Sequence, residues 1–108
     1  MCLKRAKKMD PKKERYRRIR GWILKFLAEE HPASIEVSTI HHLLDDLRYT
    51  ISREECESHI SYLCEKAFAR KESRGLAGKE IVMVTITPEG LDLLDVFTKD
   101  VGVEIPRG

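Results

Sequence analysis

The chain has 108 residues, of which 42% are hydrophobic and 35% are charged. This balance fits one small folded domain and excludes a disordered or membrane-embedded chain. No apolar run approaches the roughly 18 residues of a membrane-spanning helix, and the N-terminus has no apolar segment of the secretory type. Cys2, Cys56 and Cys64 follow no disulfide framework, which predicts free thiols in a reducing compartment. We therefore expect a soluble, cytoplasmic protein.

The charge is distributed unevenly along the chain. Residues 1–20 carry ten Lys and Arg against Asp10 and Glu14, a net of +8, which leaves −6 for the rest. Clustered cations displace counterions from phosphate, so a basic arm on an acidic body is typical of nucleic-acid binding. A terminus that only improves solubility would carry the same charges. A start at Met9 would remove four of the ten cations.

The first half of the chain predicts a basic arm, two helices and a short strand. Residues 1–11 are polar and are expected to be a disordered arm. From about 12 to 30, apolar residues recur at helical spacing, and a proline two residues later ends this first helix. Residues 34–37 alternate in polarity and predict a strand that pairs with a later hairpin. Ser38 or Thr39 is expected to cap a second helix, whose inner face is Ile40, Leu43, Leu44 and Leu47.

The second half predicts a helix, a hairpin and a closing helix. Ser52 begins an S-x-x-E capping box, and a third helix is expected over about 53–66. The hairpin is expected from 69 to 86, with Gly75-Leu76-Ala77-Gly78 at its tip. Thr87 and a proline after it begin the last helix. The packing stripe of the third helix is Cys56, Ile60, Leu63, Cys64 and Ala67, and that of the last helix is Leu91, Leu94 and Phe97.

This order of elements predicts a winged helix-turn-helix. Such a domain is mainly α with a small β-hairpin: a three-helix core, the hairpin called the wing, and a C-terminal helix. It would occupy residues 12–98, between the arm at 1–11 and a tail without regular structure at 99–108.

Three segments carry a resemblance to a known group of proteins. They are Ile51-Ser52-Arg53-Glu54-Glu55 leading into Ile60-Ser61-Tyr62-Leu63-Cys64-Glu65-Lys66, then Ile86-Thr87-Pro88-Glu89-Gly90-Leu91-Asp92, and the ending Val101-Gly102-Val103-Glu104-Ile105-Pro106-Arg107. In these segments the chain resembles small winged-helix proteins of bacterial regulators. Within that group it is similar to short proteins encoded among the genes of Mu-like prophages. The resemblance implies the winged-helix fold and a prophage genomic setting.

The leading functional hypothesis is a DNA-binding transcriptional regulator, because winged helices most often bind duplex DNA. A homodimer is expected, since two-fold half-sites need a two-fold protein. Phosphate contacts are expected from the basic N-terminal region and the wing, at Lys12, Lys13, Arg15, Arg17, Arg18, Arg70, Lys71, Arg74 and Lys79. Candidate base readers on the third helix are Arg53, Ser58, Ser61 and Tyr62, of which Arg53 is suited to guanine.

An alternative stays open because the third helix is acidic. Its outward face carries Glu54, Glu57 and Glu65, and carboxylates repel backbone phosphates. That charge favours a winged-helix protein–protein interaction module that does not bind DNA. The charged wing also fits a hairpin that is charged to protect its sheet edge.

The sequence predicts no metal site, cofactor, small-molecule ligand or enzyme activity. Cys56, His59 and Cys64 have no fourth ligand nearby, and the two cysteines lie on the packing stripe. His41 and His42 would point about 100° apart on a helix and so could not share an ion. The chain has no Gly-rich phosphate loop and none of the common catalytic motifs.

Overall fold

The computed structural model of the protein describes residues 11–96 and 98–106, apart from the side chain of Leu76. Residues 1–10 of the predicted arm lie outside the described residues. Phe97, predicted to lie on the packing stripe of the last helix, lies outside them as well. In the described part the protein is mainly helical, with four helices and a three-stranded antiparallel sheet. The elements are α1 (Pro11–Glu30), β1 (Ile35–Glu36), α2 (Val37–Asp46), α3 (Arg53–Glu65), β2 (Ala69–Leu76), β3 (Lys79–Ile86) and α4 (Pro88–Leu94).

The sheet has the strand order β1-β3-β2. The predicted pairing of the first strand with the hairpin is confirmed, since Ile35 lies opposite Val84 in β3. The predicted four-residue tip is wrong, because β2 and β3 remain paired until only Ala77 and Gly78 connect them. Both residues have positive φ, 52° and 77°, as a two-residue turn of type I′ requires. The hairpin therefore has the predicted bounds, 69–86, but its turn is shorter than predicted.

The core lies between the three long helices and the inner face of the sheet. Burying a large aliphatic side chain fully contributes about 1.5–3 kcal/mol, so this cluster dominates the stability of the fold. Helix α1 makes the largest single contribution, with four side chains that are 0% exposed, and α2, α3, β3 and α4 surround them. The fully enclosed large side chains are Ile19, Ile23, Leu24, Leu27, Ile40, Leu44, Ile60, Leu63, Ile86, Leu93, Val37 and Val84.

Helix α2 begins earlier than predicted. Its N-cap is Glu36, which makes no side-chain capping bond, so the prediction of a cap at Ser38 or Thr39 is wrong. The helix follows β1 directly because Val37, only 2% exposed, is drawn into the core. This shift turns the other end outward: Leu47, predicted to lie on the inner face, is 38% exposed. Tertiary burial has overridden the local capping preference.

Helix α4 is capped as predicted, but its most deeply buried side chain is not one of those predicted. The Thr87 hydroxyl accepts a hydrogen bond from Gly90 N at 3.1 Å and donates to the Ala67 carbonyl at 2.6 Å. Gly90 is buried against the Phe68 carbonyl, where a Cβ would collide. That close approach turns Leu93 into the core, at 1% exposed, whereas Leu91 and Leu94 are only half-buried. Leu91 and Leu94 pack partly against the core, as predicted, but the residue that α4 buries fully is Leu93, which the sequence did not predict.

The described part of the C-terminal tail, up to residue 106, has no helix or strand, as predicted, but it packs onto the core. Val103 is 5% exposed. Glu104 N donates to the Arg17 carbonyl at 3.0 Å. Gly21 of α1 makes this contact possible, because a Cβ there would overlap the Glu104 carbonyl. The tail thus closes one side of α1.

Candidate nucleic-acid interface

Helix α3 starts at the residue that its capping box predicts. The Ser52 hydroxyl accepts a hydrogen bond from Glu55 N at 3.0 Å, which satisfies one of the free amides of the first turn. Arg53 is therefore the first residue of α3, and its Nε lies 3.2 Å from Glu57 Oε2, one turn further on. The two side chains are 48% and 53% exposed. An ion pair thus stands on the surface at the beginning of this helix.

The inward face of α3 is largely the predicted one. Cys56, Ile60 and Leu63 are at most 1% exposed. Cys64 is only half-buried, and Ala67 is exposed beyond the end of the helix, with a φ of 67°. Ala67 is therefore no part of the packing stripe, because the helix ends before it.

His59 is buried, although its place on the helical wheel predicted a position beside the packing stripe. It is 2% exposed. Arg20 Nε donates to its Nδ1 at 3.1 Å, and Glu55 Oε2 lies 3.4 Å from its Nε2. The Tyr16 ring packs edge-on against it at 5.0 Å. Burial, together with the positive charge of Arg20, lowers the pKa of His59 below 6.5, and Glu55 offsets this in part.

A sequence signal for this burial exists in hindsight. His59 follows Glu55 by one helical turn, and Cys56 and Leu63 lie at neighbouring helical positions on either side of it. The partner Arg20 lies 39 residues away on α1, and no local pattern reveals that contact. Sequence reasoning therefore missed the burial of His59 and its hydrogen bond with Arg20.

An open groove of about 500 Å³ separates α3 from the β2–β3 hairpin. Lys71 spans it, since its Nζ donates to the Ser61 hydroxyl at 3.0 Å. Two of the predicted base readers, Ser58 and Ser61, lie along this groove, and so does the carboxylate end of the surface ion pair. The lining residues are Val37, Glu57, Ser58, Ile60, Ser61, Lys71, Glu72, Ser73 and Val82.

The predicted phosphate contacts of the hairpin are all on the surface. Arg74 Nε lies 3.4 Å from Glu72 Oε2, so part of its charge is compensated within β2. Lys71 faces α3 as described. The exposed cations of the hairpin are Arg70, Lys71, Arg74 and Lys79.

The predicted cations of α1 divide between different sides of the helix. The Arg15 guanidinium lies over the Tyr49 ring, 5.7 Å from its centroid, in the segment that joins α2 to α3. Lys12 and Lys13 are exposed at the same end of α1. Arg17 instead holds the tail: it donates from Nε to the Val101 carbonyl at 2.9 Å and forms an ion pair with a tail carboxylate.

Arg18 stands apart from this group. It is exposed and lies about 200° around α1 from Tyr16, the residue that contacts α3. The structure therefore places Arg15 beside the segment that leads into α3. Lys13 instead lines a pocket with Arg17 and the tail residues Val101 and Gly102.

Tyr62, the fourth predicted base reader, contacts the tail. Its hydroxyl donates to Asp100 Oδ2 at 2.6 Å, and the Arg20 guanidinium stacks on its ring at 3.9 Å. Burial and then the hydrogen bond to Asp100 raise the pKa of Tyr62. Burial alone would raise the pKa of Asp100, but the bonds from Tyr62 and Gly102 and the charge of Lys66 outweigh it and lower that pKa. Base reading by Tyr62 stays a prediction.

The described part of the chain gives no support for a metal site or a membrane-spanning helix. No group of three or more His, Cys, Asp or Glu there is arranged to hold a metal ion. None of the helices between residues 11 and 96 is long and apolar enough to cross a membrane.

No protein-family model matches the chain, and no curated protein sequence matches it significantly. Its function therefore rests on the geometry of its surface.

Proposed function

We propose that the protein is a winged-helix protein that binds duplex DNA. In this proposal α3 enters the major groove, while the β2–β3 wing and the first turns of α1 hold the phosphate backbone. The observation that carries the proposal is the position of Arg15, in the basic first half of α1, beside the segment that joins α2 to α3, where its guanidinium lies over the Tyr49 ring at 5.7 Å.

The arrangement of α2 and α3 supports a helix-turn-helix role. A six-residue segment, 47–52, joins them. His41 Nε2 on α2 donates to the Ile51 carbonyl at 2.6 Å and so ties the helix to the end of this segment. The hairpin follows α3, and the sheet order β1-β3-β2 puts β2 on the outer edge. A second helix offered to the groove, with a hairpin beside it, suits DNA docking.

Local pairing reduces the acidity that argues against DNA. Glu57 is held by Arg53 at 3.2 Å, and Glu55 turns towards the buried His59. One of the four carboxylates in α3 is thus compensated by a positive charge, and a second is turned inwards to a buried histidine. On the hairpin, Lys71 reaches Ser61 of α3. The exposed cations of the hairpin and of the start of α1 can carry the phosphate contacts, which supply most non-specific affinity.

We extend the proposal to a transcriptional regulator that acts as a homodimer in a prophage setting. A dimer suits palindromic operators, in which half-sites repeat about one helical turn apart. The prophage setting follows from the sequence resemblance alone.

A second candidate is a protein–protein interaction module. The groove between α3 and the wing favours it, because Val37, Ile60 and Val82 give the groove an apolar floor. Glu54, Glu57 and Glu65 are exposed on α3 and would suit a basic partner. This candidate predicts no DNA affinity even at low salt.

Fluorescence anisotropy with a mixed-sequence duplex separates the two candidates. DNA binding through phosphates should weaken steeply between about 50 and 200 mM salt. The double variant Lys12→Gln/Lys13→Gln should flatten the salt slope by up to about 2 units, since each phosphate contact contributes about 0.9.

A matched control removes the same charge from the opposite side of α1. Arg18 and Lys25 both lie about 180–200° around the helix from Tyr16. Arg18→Gln/Lys25→Gln should leave the slope nearly unchanged. Absence of wild-type binding at about 50 mM salt would reject DNA binding, and equal effects of the two double variants would reject the assigned surface.

A further inference from the structure

We infer that Arg53 and Glu57 act as one unit that reads guanine and cytosine in the major groove. The inference rests on the proposed DNA-binding function and specifies its target. It assigns Arg53 to a guanine and Glu57 to a cytosine amino group close by, within a G·C-containing step.

The first support is the geometry of the ion pair. Arg53 is the first residue of α3 and Glu57 follows one turn later, with Nε and Oε2 3.2 Å apart. The ion pair engages Nε, whereas guanine is gripped at O6 and N7 by two N–H donors of one guanidinium. A carboxylate that holds Nε fixes the plane of the guanidinium, so less side-chain freedom is lost when the base is bound.

The second support is the chemistry of the Glu57 carboxylate. An acceptor at this place suits the N4 amino group of cytosine, which is the donor that a G·C pair shows in the major groove. Thymine offers O4 and a methyl group, and neither is a partner for a carboxylate. Adenine has an N6 amino group beside the acceptor N7, which would repel the charge. Cytosine is therefore the base that Glu57 tolerates best.

The third support is the position of the pair on the protein. Glu57 and Ser58 both line the groove between α3 and the wing, and Arg53 stands one turn earlier at the start of the helix. The first turns of a recognition helix are those that reach base edges in helix-turn-helix proteins. Mutual neutralisation also lets a carboxylate lie close to DNA without full repulsion from the phosphates.

Selection of duplexes from a random-sequence pool tests the inference, with the full-length protein and its variants. The wild type should enrich sites with a fixed guanine and a fixed cytosine within neighbouring base pairs. Replacing the guanine in the selected site with 7-deazaguanine, which lacks the N7 acceptor, should weaken wild-type binding about 10-fold. The same replacement should have little effect on Arg53→Ala.

Glu57→Gln gives a sharper outcome than loss of affinity. A glutamine reads adenine at N6 and N7, so the preference at the cytosine position should move towards adenine. Glu54→Gln is the matched control, because it removes the same charge from the same exposed turn. It should tighten binding to all sequences and leave base preference unchanged.

The possible failures are distinguishable. If the wild type binds duplex DNA with a steep salt dependence but selects no guanine and cytosine, the inference is wrong and the proposed function stands. If Glu57→Gln and Glu54→Gln change base preference alike, the assignment of cytosine to Glu57 is wrong. If no duplex binds at low salt, both the inference and the proposed function are rejected.

Discussion

Arg20 donates a hydrogen bond from Nε to Nδ1 of His59 at 3.1 Å and so joins α1 to α3 inside the protein. An arginine can only donate, so Nδ1 must be the acceptor, and the ring proton lies on Nε2, facing the Glu55 carboxylate at 3.4 Å. His59 is therefore neutral in the folded protein. Its protonation would set an N–H at Nδ1 against the Arg20 donor.

This arrangement predicts that stability falls as the pH falls below about 6.5. Burial and Arg20 lower the pKa of His59 in the folded state, whereas in the unfolded chain it titrates near 6.5. Below that pH the unfolded chain binds more protons at this site, so the contribution of neutral His59 is complete above 6.5 and is lost towards the folded pKa. Urea unfolding at about pH 7.5 and about pH 5 should show the loss.

His59→Gln tests whether this histidine causes the effect. Glutamine can accept from Arg20 and donate to Glu55, but it does not titrate. We expect the variant to be about 1–2 kcal/mol less stable than wild type at neutral pH, with a difference that narrows in acid. His42→Gln, at an exposed position of α2, is the control and should keep the wild-type profile. An unchanged pH profile in His59→Gln would refute the assignment.

Tyr62→Phe is predicted to reduce stability without reducing DNA affinity. The variant keeps a ring for Arg20 but loses the 2.6 Å bond to the Asp100 carboxylate. A hydrogen bond to a charged group contributes about 1.5–3 kcal/mol, and the free energy of unfolding should fall by about that amount. Duplex affinity should stay within about twofold, since the hydroxyl is engaged with the tail. A larger loss of affinity would identify Tyr62 as the base reader that its position on α3 predicted.

The sequence was most informative where local chemistry decides structure. Ser52 and Thr87 cap α3 and α4 as predicted, because a hydroxyl ahead of a free amide acts within one turn. Residues 34–37 predicted β1 because their polarity alternates, as in a strand that is buried on one face. The start of α2 was missed because Val37 is buried by distant parts of the chain, and its burial competes with the capping residues that follow it.

The candidate site shows the same division. The exposed cations and Arg53 could be identified from composition and helical position. The partners Arg20–His59 and Tyr62–Asp100 could not, since each joins residues 38 or more positions apart. The ion pair of Arg53 with Glu57 is local, at i and i+4, so its spacing could be read from the sequence. The sequence analysis considered Glu57 only as a carboxylate that repels phosphates, so it did not predict the ion pair with Arg53.

Gly21→Ala is predicted to destabilise the protein, against the usual trend within helices. In an exposed helix this change stabilises by about 1 kcal/mol, because alanine has the higher helix propensity. Here the added Cβ would overlap the Glu104 carbonyl, so the tail or α1 must move. Overpacking of this kind costs about 1–3 kcal/mol. Thermal unfolding should show a lower midpoint.

A matched glycine replacement controls for the change in residue type. Gly75 lies in β2, and a Cβ there would meet nothing within 4 Å. Gly75→Ala should therefore shift the unfolding midpoint little. If Gly21→Ala were as stable as wild type, the packing of the tail against α1 would be wrong.

Cys56 is predicted to resist alkylation until the protein unfolds. Its side chain is 0% exposed. Burial, supported by Glu57 and Glu55 and opposed by Arg53, raises the pKa of its thiol to about 11. At pH 8 only about one thiol in a thousand would be ionised, and the thiolate is the reactive form.

In a Cys2→Ser/Cys64→Ser background, iodoacetamide should modify Cys56 only as fast as unfolding permits, and moderate urea should accelerate the reaction sharply. Cys2→Ser/Cys56→Ser, which leaves the half-buried Cys64, should react faster in buffer. If Cys56 in the folded protein were labelled at the rate of a free cysteine, α3 would not pack against the core through the face that carries Cys56.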